Sequence, residues 1–157
     1  MKYALVFFVL AVLNAQAQKL SPVDFERLRG TGNFSSYLKT KGFLQSATDT
    51  AAKPEALTYT NTTEGSIVLL NNTVDGEGAR GFTATYLLPT AAAYEAFIAA
   101  LKKAGYADKK AKGTYTKFIS TYERQYFVTE GEHTRGTKKF YQLKYAYTAG
   151  KEIAEPH

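Results

Sequence analysis

Cysteine is absent from this chain of 157 residues, and that one absence removes disulfides, thiolate metal sites and cysteine nucleophiles together. Stability must come from packing alone. Histidine is scarce, with only His133 and His157 present, and no Gly-x-Ser-x-Gly turn occurs to raise a serine toward either of them. Past Leu13 no apolar run approaches the roughly 20 residues that span a bilayer as a helix, so no transmembrane segment is expected in the mature chain. Acidic residues are plentiful, but no two are singled out as a pair for acid–base work. Glu130, Glu132 and His133 crowd one expected hairpin loop with no helical spacing to fix them as metal ligands. Asn71, Asn72, Asp75 and Glu77 match neither an EF-hand loop nor a glycine–aspartate array, and read as a turn. No catalytic residue, metal or cofactor is therefore expected.

What is present begins with an address. Met1-Lys2 is a short positive start, Tyr3 to Leu13 is continuously apolar, and Asn14-Ala15-Gln16-Ala17 ends in a small-x-small pattern. These are the parts of a secretory signal peptide over residues 1–17, cleaved after Ala17. Export to the periplasm or beyond is expected, and a cysteine-free exported chain points to a bacterial source. The formal net charge of +6 falls to +5 once Lys2 is removed, a modest basic excess that attracts anionic surfaces such as acidic glycans. Export argues against a physiological nucleic-acid partner.

The clearest element lies between Pro89 and Gly105. Tyr94, Phe97, Ile98 and Leu101 recur at i, i+3, i+4 and i+7, which is one face of a helix. Thr90 is placed to cap the first turn, Lys102 and Lys103 sit at the negative end of the dipole, and Gly105 supplies the left-handed residue that ends the helix. A shift of 63 positions aligns Phe34 with Phe97, Leu38 with Leu101, Lys39 with Lys102, Gly42 with Gly105 and Phe43 with Tyr106. Upstream of that copy, Ser21-Pro22-Val23-Asp24 reads as a capped helix start. A further short helix is expected from Ser35 to Lys41.

Alternation marks the strands. Phe43 to Ala47, Ala56 to Thr62, Gly65 to Leu70 and Arg80 to Leu88 follow the first helices; Tyr106 to Asp108, Thr114 to Ser120, Tyr122 to Thr129 and Lys138 to Thr148 follow the second. In Arg80 to Leu88, Phe82, Ala84, Tyr86 and Leu88 share one face; in Lys138 to Thr148, Tyr141, Leu143, Tyr145 and Tyr147 do. Asn71 to Gly78 and Glu130 to Gly136 are expected as turns. The organisation is then a first unit over 18–88, a second over 89–148 and a tail over 149–157. The expected fold is α+β, a two-layer sandwich of helices on antiparallel sheet, built as a tandem repeat of helix plus about four strands. This element order is similar to that of the bacterial β-lactamase inhibitor proteins, which dock a partner on a curved sheet. The resemblance is of element order alone, shares no motif and lacks those inhibitors' disulfides, so it carries no function across.

One surface candidate emerges. Tyr115 and Lys117, then Tyr122, Arg124 and Tyr126, share an alternating register, and tyrosine with basic residues is the composition of recognition surfaces. The expected function is an exported, non-enzymatic binding protein that recognises an envelope or extracellular protein, or an anionic glycan, through that face. The alternative is a carrier of a small apolar ligand between helix and sheet, marked by a closed cavity above roughly 300 Å³ lined by Phe97, Ile98 and Leu101.

Overall fold

The computed structural model describes residues 19–27, 34–49, 56–74, 80–109, 113–119 and 124–148. The segments expected as a signal peptide (1–17) and as a tail (149–157), together with Tyr122, lie outside them.

Among the described residues two short helices come first, α1 (Pro22–Arg27) and α2 (Phe34–Thr40). The start of α1 is a reciprocal cap: Asp24 accepts hydrogen bonds at 2.7 Å from both the backbone amide and the hydroxyl of Ser21, while its own amide donates to the Ser21 carbonyl. The same carboxylate accepts the Tyr37 hydroxyl from α2 and lies 3.6 Å from Lys41 Nζ, so one buried acid ties the two helices together. Burial alone would raise its pKa. The donors from Tyr37 and Ser21 and the Lys41 charge outweigh that and hold the carboxyl below the usual carboxylate range.

Four strands follow, β1 (Leu44–Asp49), β2 (Ala56–Asn61), β3 (Ser66–Val74) and β4 (Arg80–Leu88), then the long helix α3 (Ala91–Lys103). Four more strands follow among the described residues, β5 (Ala107–Asp108), β6 (Thr114–Ile119), β7 (Arg124–Arg135) and β8 (Lys138–Thr148). All eight form one antiparallel sheet in the order β1-β2-β3-β4-β8-β7-β6-β5. The architecture is α+β but dominated by sheet. Each half is a meander, and the halves join where β4 pairs with β8, Ala84 opposite Tyr145 and Tyr86 opposite Leu143.

α3 behaves as its sequence demands. Thr90 Oγ1 accepts from the Ala93 amide at 3.2 Å. At the other end, Gly105 takes φ +89°, its amide donates to the Lys102 carbonyl, and the Tyr106 amide reaches back to Leu101. α2 ends by the same device: Gly42 has φ +78°, its amide donates to Lys39, and the Phe43 amide donates to Leu38. These residues are the ones that the 63-position shift superimposes.

The main core lies between the helices and one sheet face. Phe25 of α1 stacks on Tyr145 at 4.4 Å between ring centroids, and Phe97 of α3 meets Tyr86 and Phe25 with tilted or edge-on rings. Leu38, Leu101, Val68, Val128 and Leu143 fill between them. Ile67, Leu87 and Phe140 form a smaller buried cluster on the reverse face.

Two expected turns are corrected. β3 runs on to Val74, with Asn71 opposite Thr83 and Asn72 opposite Phe82, and β7 runs on through Glu130 to Arg135, with Gly131 opposite Gln142. Turn-forming residues stay extended there because the facing strand satisfies their backbone groups. The β7–β8 turn is at Gly136-Thr137.

Candidate functional site

Tyr115 and Lys117 share a face of β6, as alternation requires, but it is the covered one. Tyr115 is 6% exposed and belongs to the core, its hydroxyl donating to Glu130 Oε1 at 2.7 Å. Lys117 Nζ lies 2.8 Å from Glu26 of α1 and 5.6 Å from the centre of the Tyr106 ring. The ring of Tyr115 and the charge of Lys117 are thus spent on internal contacts, which corrects the expectation of an open aromatic and basic surface at these two positions. The physical reason is register: strand periodicity puts residues on a common face without saying which face the helices cover. Tyr122 lies outside the described residues. The backbones of Arg124 and Tyr126 pair with Ile119 and Lys117 in the β6–β7 ladder.

A different place gathers polar groups around open space. A cleft of about 410 Å³ lies between the segment Lys19–Ser21, the β2–β3 turn, the end of β4 and one flank of α3. Tyr86, Leu88 and Pro89 form its sheet side; Ala93, Ala96, Phe97 and Ala100 form its helix side. Volume is available there because α3 presents alanine at i, i+3 and i+7 along this flank, where larger side chains would close the gap against Leu88.

The polar end of the cleft is built by the β2–β3 turn. Asn61, nearly fully buried, accepts the amides of Thr63 and Glu64 on its side-chain oxygen at 3.1 Å each, and its carbonyl accepts the Gly65 amide. Gly65 adopts φ +70° to complete the turn. Glu64 is thereby held at the cleft. Its Oε2 lies 3.5 Å from Ser66 Oγ, at the limit of hydrogen bonding, and its Oε1 is buried with no hydrogen-bond partner among the described residues. Burial raises the carboxyl pKa, offset in part by the Lys19 charge and by Ser66. The Tyr86 hydroxyl, bonded to Ser66 and to the Leu20 backbone, is pushed up to about 12, mainly by burial, and stays a neutral donor.

The opposite flank of α3 carries a shallower hollow of about 340 Å³ bordered by Tyr94, Ile98, Lys102 and Glu130. Glu130 accepts hydrogen bonds from both Tyr94 and Tyr115, and Tyr94 stacks on Tyr141 at 5.1 Å. Burial and the Glu130 charge raise both phenols, Tyr115 to about 12. With two donors bonded to its carboxylate, this acid is already supplied where Glu64 is not.

Among the described residues no three His, Asp or Glu side chains come together to hold a metal ion. Strand alternation sends His133 to the face opposite Glu130 and Glu132. Ile98 borders the shallow hollow rather than the cleft, and Leu101, fully buried, borders neither, so of the three residues expected around a ligand cavity only Phe97 lines the cleft. The alanine stripe was visible in the sequence; Glu64, inside a Thr-Thr-Glu-Gly turn, carried no signal. No family model, no curated protein and no solved structure matches the chain.

Proposed function

We propose that the protein is an exported, non-catalytic binding protein that holds a small ligand with an apolar body in the cleft between α3 and the sheet. One observation carries this reading: about 410 Å³ of space walled by Leu88, Pro89, Phe97 and the alanine stripe, with a few polar groups gathered at one end. Binding sites for small molecules have this size and this division into apolar walls and sparse polar anchors. The cleft is open rather than closed, which suits exchange of a carried molecule. N-phenyl-1-naphthylamine, which fluoresces in apolar surroundings, tests it. The mature protein is expected to bind the probe saturably, and Ala96→Trp, which fills the cleft from an exposed helix position, is expected to abolish the signal while leaving the melting temperature nearly unchanged. Absence of binding to the wild type, or undiminished binding to Ala96→Trp, sinks the proposal.

A second reading, an anionic glycan or protein partner, is favoured by the β7–β8 hairpin rather than by Tyr115 and Lys117. Arg135, Lys138 and Lys139 are exposed at its end, where Arg135 pairs with Lys138 and like charges are brought together. Reversing all three to glutamate is expected to abolish retention on heparin without changing the melt. We also read the two halves as copies of one unit, supported by the matched helix ends at Gly42 and Gly105.

A further inference from the structure

Resting on the cleft as a ligand site, we infer that the ligand carries a cationic N–H head, a primary ammonium or its equivalent, bound by the carboxylate of Glu64. The head-group end of the cleft has an acceptor without a donor. Glu64 Oε1 is removed from solvent and among the described residues makes no hydrogen bond, whereas buried polar atoms in folded proteins are nearly always paired. Leaving such a group unmet is costly, so an arrangement that keeps one is best explained by a partner that arrives from outside.

The surroundings narrow that partner. Among the described residues the other carboxylate oxygen has only the distant Ser66 hydroxyl. The Tyr86 hydroxyl is engaged by Ser66 and the Leu20 backbone and stays neutral, so it brings no charge to compete for the head group. Lys19, from the segment before α1, is exposed and its charge acts on Glu64, but among the described residues no ion pair joins the two. From α3 the cleft receives only Ala93, Ala96, Phe97 and Ala100, which carry no charge. A ligand carboxylate or phosphate would meet the Glu64 charge directly. An ammonium at the cleft end meets the carboxylate at Oε2 and reaches Oε1 as the Glu64 side chain turns toward the cleft, and its alkyl or aryl body then lies along the alanine stripe and Leu88.

The test is displacement of bound N-phenyl-1-naphthylamine by three amphiphiles of equal chain length, octylammonium, octanol and octanoate, each below its micelle concentration. Octylammonium is expected to displace at a concentration about tenfold below that of octanol, the scale of one charge-assisted hydrogen bond, with octanoate weakest. In Glu64→Gln, with displacement referred to that variant's own affinity for the probe, octylammonium falls to the level of octanol. Lowering the pH through the titration of Glu64 is expected to weaken octylammonium and leave octanol unaffected, because protonation removes the charge that the ammonium meets. Probe binding with no preference for octylammonium, or with octanoate strongest so that Lys19 is the anchor, overturns the cationic head while the cleft stands. Failure of the probe to bind the wild type removes both.

Discussion

Single residues in this protein act through what they lack as much as through what they touch. Tyr145 is buried under Phe25, and its hydroxyl has no hydrogen-bond partner among the described residues. Tyr145→Phe keeps the ring and deletes the orphan donor, so it is expected to stabilise the fold by about 1 kcal/mol, read as a higher denaturation midpoint at unchanged slope. Two carboxyls respond to pH with opposite sign. The folded-state pKa of Asp24 is depressed, so its contribution is present above the ordinary value of 3.8 and is lost as pH falls through the folded value. Glu64 is raised above its ordinary 4.5, so its protonated form favours folding and that contribution is lost as pH rises through the folded value. Melting curves across pH are therefore expected to show Asp24→Asn less stable than wild type at neutral pH, Glu64→Gln more stable, and both differences shrinking in acid. A Glu64→Gln variant that melts earlier at neutral pH would show the carboxylate satisfied in the folded state.

At the scale of elements, the matched helix ends are the most testable feature. Gly42 and Gly105 both occupy left-handed backbone, and among the described residues a side chain added at Gly105 meets nothing within 4 Å while one at Gly42 meets only Asn61 at ordinary contact distance, 3.5 Å. The cost of alanine is therefore conformational at both, about 1 kcal/mol each, and the two variants are expected to lose similar stability in urea. Much larger loss at one alone would show that the two ends are not equivalent. The remaining helix signals were legible in advance, Thr90 as a cap and Ser21 with Asp24 as a reciprocal pair, because each interaction spans three residues. The faces of β4 and β8 were legible too, since alternation assigns them. The full lengths of β3 and β7 were not. Asn71-Asn72 and Glu130-Gly131 look like turns until a partner strand stands opposite, and that partner is supplied by the fold.

For the whole molecule, the consequence of one continuous sheet is cooperativity. The halves meet along β4 and β8, and the core crosses that seam: Phe25 and Tyr86 of the first half pack on Phe97 and Tyr145 of the second. A single melting transition is expected, with near-UV and far-UV circular dichroism superimposing. Phe97→Ala, which leaves a hole at the seam, is expected to cost about 3–5 kcal/mol and to lower that one transition rather than split it. Two separated transitions would show that the halves fold as independent units. The sequence by itself determined what depends on neighbours a few residues apart: the helix caps and stops, the face of each strand, the absence of thiol chemistry and the scarcity of histidine. Only the tertiary structure decided which sheet face the helices cover, that β4 and β8 close the sheet, and that the alanine flank of α3 faces Glu64 across open space. Those outcomes depend on groups far apart in the chain meeting one another, and a local pattern that is right on either side of a strand contains no information about which side the helices will take.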